Sequence, residues 1–174
     1  MTEADVEAVS DIRVRGWQTA YAGMVPRSFL DGMTVEDDAR RRRAWFRDPR
    51  RRGFDLVADA GAGPVGWVSC GPYREAGAES RMSEAYGPAV RAGEVYALYV
   101  RPDLIGHGVG RALLDAVHDR AGAEGFGLVA LWVLSGNRTA RRFYERSGYA
   151  LDGGEQRDAY GDVVLTELRY GRSL

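Results

Sequence analysis

Apolar and polar positions alternate with two different periods along this 174-residue chain, and the changes of period mark its elements. Val6, Val9, Arg13, Trp17 and Tyr21 recur at helical spacing and predict a helix over 3–22. Pro26 suits the first turn of a short helix, PRSFLDGM. Thr34 with Asp37 resembles a capping box opening a helix over 35–47, which Asp48-Pro49 ends. Phe54–Ala60 and Pro64–Gly71 read as strands joined by the turn Gly61-Ala62-Gly63. Residues 74–92 are small and polar and read as a long loop. A strand over Glu94–Val100 precedes an amphipathic helix over 108–124, with Val109, Ala112, Leu113, Ala116 and Val117 on one face. Leu128–Leu134 is a continuous apolar run, as a buried strand requires. A helix over 137–147 stops at Gly148, and 149–158 with 162–170 predict a closing hairpin around Tyr160-Gly161. This order argues for one mixed α/β sheet in a single domain spanning 1–174.

The most informative stretch is LIGHGVGRALL, where Gly106, Gly108 and Gly110 crowd between a strand and a helix. Glycine lets backbone N–H groups approach a ligand, and the following helix aims its positive dipole end at the same spot. The stretch therefore predicts a phosphate or pyrophosphate site. Its G-x-G-x-G spacing, late position and Leu113 differ from a dinucleotide-binding fingerprint.

Composition narrows the chemistry. Hydrophobic residues at 45% and charged residues at 28% fit an ordinary soluble globule. No apolar run could span a bilayer, and the acidic start lacks the features of a signal peptide, so a cytoplasmic protein is expected. The chain has no lysine: all 24 basic residues are arginine, which excludes a Walker A loop and Schiff-base chemistry. One cysteine, Cys70, and two histidines argue against a disulfide or a metal cage. The net charge of −1 gives no global attraction to nucleic acid or membrane. The basic run Arg40–Arg43, Arg47 and Arg50–Arg52 reads as a solvated helix face, and His107 as polar loop filler. Cys70 reads as a buried strand residue.

Together, EVYALYVRPDLIGHGVGRALL and NRTARRFYERSGY resemble the two core motifs of the GCN5-related N-acetyltransferase (GNAT) superfamily. Gly108 and Gly110 match the small positions of its Arg/Gln-x-x-Gly-x-Gly/Ala loop, while Ile105 stands where Arg or Gln is usual. Asn137, Ala140, Phe143 and Tyr144 match Asn-x-x-Ala-x-x-Phe-Tyr. The resemblance covers about residues 54–170 and, more weakly, the first helices. It implies a mostly antiparallel twisted sheet with helices on both faces (an α+β acyl-CoA N-acyltransferase fold), and acetyl-CoA as acyl donor with no metal. Members usually open with a strand, so here the first strand is missing or the start is late. The sheet edge this leaves would favour a homodimer.

The resemblance also implies roles. The pyrophosphate would lie over Ile105, Gly106, His107, Gly108, Val109, Gly110 and Arg111. Leu98, Tyr99 and Val100 would line the thioester and pantetheine arm, their strand splaying from Leu131–Val133 so that its free N–H and C=O groups pair with the arm and Leu98 N–H polarises the carbonyl. Glu94 falls where the histone-acetylating branch keeps its general base; the other reading is a solvated strand-end carboxylate. Tyr144 would protonate the leaving thiolate, or is simply a core tyrosine. Asn137 would bond the pantetheine amide, cap a helix, or both. Arg111, Arg138, Arg141 and Arg142 are candidates for the CoA 3′-phosphate. Trp17 and Tyr21 are core residues or line the acceptor pocket. The implied reaction is direct acetyl transfer to the primary amine of a small molecule. A protein N-terminus is the alternative acceptor, and a non-catalytic acyl-CoA-binding module the alternative function.

Overall fold

A computed structural model describes residues 1–74, 86 and 90–174. The helices α1 (Val6–Ala20), α2 (Arg27–Asp31) and α3 (Val35–Arg47) lead into β1 (Phe54–Asp59), β2 (Pro64–Pro72) and β3 (Ala92–Val100). Then come α4 (Val109–Ala123), β4 (Leu128–Leu134), α5 (Arg138–Arg146), β5 (Ala150–Tyr160) and β6 (Val163–Ser173). The strands form one sheet in the order β1-β2-β3-β4-β6-β5. Every neighbouring pair is antiparallel except β3 and β4, which α4 connects as a crossover.

Strand alternation divides the sheet into two packed faces. Val68 and Cys70 of β2 meet Leu113, Leu114 and Val117 of α4 in the main core. Trp67, the residue before Val68, points to the other face, where Arg42 of α3 lies over its ring at 4.1 Å. On that same face α1 crosses β3 at Gly16, where an added Cβ would sit 2.6 Å from the Tyr99 ring. No described helix is long and apolar enough to cross a membrane.

Some ends differ from expectation for local reasons. The first helical turn is a separate 3₁₀ turn, Glu3–Asp5. Thr34 caps α3 by accepting from Asp37 N–H at 3.1 Å, but the Asp37 carboxylate pairs with Arg40, so the reciprocal half of the box is missing. The last hairpin turns on Gly161-Asp162, one residue later than predicted, because positive φ is needed at the first central position and Gly161 supplies 67°. β3 begins two residues earlier than expected, at Ala92. The rest of the predicted 74–92 loop lies largely outside the described residues.

One buried group makes stability depend on pH. His118 of α4 sits 2.9 Å from the Tyr149 hydroxyl, and burial, helped by Arg172, pushes its pKa down to about 4. Below its unfolded pKa near 6.5, the unfolded chain takes up a proton that the folded chain refuses. Stability is therefore full above that pH and falls toward pH 4 by about 3 kcal/mol. Urea midpoints measured from pH 7 to 4 should show this loss, and His118→Gln should lose less. Parallel curves for the two proteins would contradict it.

Candidate active site

Parallel pairing of β3 with β4 runs only from Ala92↔Leu128 to Val95↔Leu131. Beyond it β4 continues against β6 through Leu134, while β3 stays with β2 through Val100. The two strands thus part after Val95. A register shift in β3 against Ser69/Cys70 of β2 leaves Tyr96 as the extra residue at the parting point. Arg101 N–H donates to Val65 O at 2.9 Å, toward β2. Antiparallel alternation therefore turns the N–H and C=O groups of Leu98 and Val100 away from β2, into the opening. An extended chain placed there would find unpaired backbone.

At the end of β3 the chain makes a turn held by bonds from Leu104 N–H to Arg101 O at 2.9 Å and from His107 N–H to Leu104 O at 3.3 Å. Gly106 and Gly108 adopt φ of 87° and 86°, which side-chain-bearing residues resist. A Cβ at either would meet nothing within 4 Å, so both face open space. Gly108 is the N-cap of α4 with no side-chain cap. The amides of Gly106 and of Gly108 through Arg111 have no backbone acceptor among the described residues. Free donors at the start of a 15-residue helix suit an anion. Ile105 and His107 are exposed, and Val109 packs against the core. Gly110 plays a different part: an added Cβ would lie 3.2 Å from the Phe143 ring, so it lets α4 and α5 approach.

Asn137 caps α5, accepting from Ala140 N–H at 3.0 Å. Ala140, Phe143 and Tyr144 pack along the core edge. Tyr144 lies between Phe143 and Tyr149, with ring centroids at 5.2 and 5.9 Å. Its hydroxyl has no hydrogen-bond partner among the described residues. Burial, reinforced by Tyr21, raises its pKa above the ordinary phenol range and keeps it protonated. Tyr21 and Tyr99 act on each other electrostatically, and burial raises both. Three tyrosines, from α1, β3 and α5, thus interact at this end of the sheet. Trp17 packs against Tyr21 with ring centroids 4.6 Å apart and planes tilted by 60°, and its buried Nε1–H has no hydrogen-bond partner among the described residues.

The solvated reading of Glu94 does not hold. Glu94 is 3% exposed, the third residue of β3, and accepts from the Arg74 amide at 3.1 Å and from its Nη2 at 2.7 Å. Its Cα lies four residues from Leu98, roughly 13 Å along an extended strand. Cys70 is fully buried, and burial pushes its thiol up to about 12, so it is a poor nucleophile. Arg141 is committed to the Tyr170 hydroxyl and Ser135 O, both at 3.0 Å, and Arg111 to Asp115 at 3.0 Å. Arg138 and Arg142 stay exposed without ion pairs among the described residues.

The basic run is not one solvated face either. Arg42 is buried and pairs with Asp38 at 3.0 Å, and Asp38 also holds Arg13 at 2.7 Å. The Asp38/Arg42 spacing of four on a helix was the readable signal for this pair. Arg13 and Arg74 had no such local signal, since their partners lie 25 and 20 residues away.

A sequence profile described as the Acetyltransferase (GNAT) family matches residues 15–149. An L-methionine sulfoximine/L-methionine sulfone acetyltransferase of Pseudomonas aeruginosa is 33% identical over 118 residues, 67% of this chain and 62% of that protein. The chain thus spans less than two thirds of this relative's length. Among solved structures, a PaiA N-acetyltransferase from Thermoplasma acidophilum in complex with coenzyme A aligns with a TM-score of 0.71 at 15% identity, over 100% of this chain and 96% of that one. A ribosomal-protein-alanine N-acetyltransferase from Brucella melitensis aligns equally well, at 0.71 and 20% identity over 100% and 97%. At these identities the structural likenesses concern the fold. With the profile covering most of the chain, and both motifs sited at the strand opening and the helix start, the chain belongs to the GNAT acetyltransferase family.

Proposed function

We propose that this chain transfers the acetyl group of acetyl-CoA directly to the primary amine of a small molecule. The observation that carries the reading is the parting of β3 from β4 after Val95, with free amides at the start of α4 beyond it. The ligand fits these residues: a pyrophosphate matches the open side of Gly106 and Gly108, and an amide-bearing arm matches the unpaired edge of Leu98–Val100. Bound acetyl-CoA supplies an activated acyl carbon. Leu98 N–H then polarises the carbonyl oxygen. Tyr144, protonated and without a competing partner, gives its proton to the departing sulfur. Glu94 accepts the amine's proton through water, as its distance from Leu98 requires. Trp17 and Tyr21 line the acceptor side. The inert Cys70 supports direct transfer over an acyl-cysteine route.

The small-molecule acceptor is supported by the name of the Pseudomonas relative and by a relative called mycothiol acetyltransferase in Beutenbergia cavernae, 44% identical over 62 residues. Thiol release from acetyl-CoA over a panel of amines and peptide N-termini tests the proposal. Amine-dependent thiol release with small amines is expected. Tight acetyl-CoA binding with no turnover on any amine would instead mark a binding module.

A further inference from the structure

Glu167 of β6 is half-buried and makes no ion pair among the described residues. Its Oε1 accepts from the Tyr160 hydroxyl at 2.7 Å and its Oε2 from Gln156 Nε2 at 2.6 Å. Burial, then the Glu167 carboxylate, raise the Tyr160 pKa, so that hydroxyl stays a donor. Elsewhere this arginine-rich chain pairs its buried acids. Asp38, Asp55, Glu94 and Asp152 each hold a guanidinium. Two neutral donors fill only part of a carboxylate's capacity, which is about four hydrogen bonds. The lone pairs left over suit a cationic donor.

Register places this carboxylate beside the strand opening. Parallel pairing ends at Val95↔Leu131. Counting on along both strands, and allowing for the extra residue Tyr96, brings Leu98 level with Val133 and Leu134. Leu134, on the opening's β4 edge, pairs with Glu167 of β6, so one strand spacing of about 5 Å separates their backbones. Alternation fixes the side. Leu168 and Tyr170 of β6 pack into the main core, where Arg141 of α5 donates to Tyr170, so Glu167 projects from the opposite face. There Tyr160 packs against Trp17 of α1 with ring centroids at 5.9 Å, in one cluster with Leu134 and Tyr21. The charged and titratable groups facing Glu167 are Tyr160, Tyr21 and, on the same face of β6, Arg169, which Asp152 holds at 2.7 Å. The phosphate cradle on α4 and Tyr144 on α5 give the acyl donor the other side. The acceptor is left the α1 face, where Glu167 stands level with the carbonyl.

We propose that Glu167 receives the acceptor's reacting amine in its ammonium form and holds it beside the thioester carbonyl, so that the substrate is an aliphatic amine bound as a cation. The inference rests on the acetyltransferase reading above. An alkylammonium carries three N–H donors. One rests on Glu167, and another stays free to pass its proton through water to Glu94 before the nitrogen attacks.

Calorimetry with acetyl-CoA comes first, on the native chain and on Glu167→Gln, and equal affinity is expected because Glu167 lies on the acceptor's side. Thiol release at saturating acetyl-CoA then gives kcat and KM for primary alkylamines as the pH is raised from neutral toward the amine's own pKa, near 10. At neutral pH, Glu167→Gln should raise KM about 10–100-fold, the loss of a hydrogen bond to a charged group, with kcat nearly unchanged. The gap should close as the amine loses its charge, and Glu167→Asp, which keeps the carboxylate, should recover much of the affinity. The native protein alone gives a second readout: the alcohol of the same carbon skeleton should compete with a Ki at least about tenfold above the amine's KM. An unchanged KM in Glu167→Gln, a rise that persists undiminished at high pH, a loss of acetyl-CoA affinity in that variant, or an alcohol that competes as well as the amine binds would overturn the proposal. So would a native chain that binds acetyl-CoA but acetylates no alkylamine. Absence of acetyl-CoA binding by the native chain would overturn the underlying acetyltransferase reading instead.

Discussion

Tyr144→Phe is expected to slow thiol release about 10²–10⁴-fold, the usual contribution of one general acid. The change removes a single oxygen that has no hydrogen-bond partner among the described residues. The ring keeps its packing against Phe143 and Tyr149, so stability should move little. The loss should fall on kcat, with acetyl-CoA affinity nearly intact, because the proton is needed only as the sulfur departs. It should also narrow when the thiol of the acyl donor is replaced by a better leaving group, such as a thiophenol, which needs no proton. A variant that turns over like the wild type would make Tyr144 a packing residue.

Asp38→Ala carries the largest expected loss of stability. Asp38 is 6% exposed at its side chain and Arg42 is 8% exposed, so water screens their pairing poorly. Removing the carboxylate strands a buried guanidinium and frees Arg13 as well. Breaking such a pair costs about 3–5 kcal/mol, a large part of the roughly 5–15 kcal/mol that holds a domain together. The expected result is a much lower urea midpoint with an unchanged slope. Asp38→Leu combined with Arg42→Met should recover much of the loss, since the charge that needed a partner is gone. A loss below about 1 kcal/mol for Asp38→Ala would show that water reaches the pair.

The two predictions draw on different kinds of information in the chain. Tyr144 and the glycines were legible because their signals are local. Gly106 and Gly108 punctuate a strand-to-helix turn, and Tyr144 stands at a fixed spacing from Asn137 on one helix. The strand elements were legible for the same reason, as apolar runs bounded by glycine turns. What the residue pattern alone did not carry is non-local. The parting of β3 from β4 came only from the family resemblance, because it depends on where a parallel pairing ends, which no single strand's pattern encodes. Glu94 looked like a strand-end carboxylate because its partner Arg74 belongs to a different part of the chain. The arginine run looked uniformly solvated because charge alone does not say which of its members folds onto Trp67. Arg42 is buried while its immediate neighbour on the helix, Arg41, is exposed. Tyr99 entered the sequence reading for its backbone, yet its ring stacks on Trp67 and lies beside Tyr21.

Calorimetric titration with acetyl-CoA, run on the native chain and on Gly108→Val, probes the ligand cradle most directly. The native protein should bind, and the variant, with a β-branched side chain forced to φ near 86° and projecting where the phosphates would lie, should bind about 10–100-fold more weakly or not at all. No heat from the native protein, or equal affinity in the two, would contradict the assignment of these amides to a pyrophosphate.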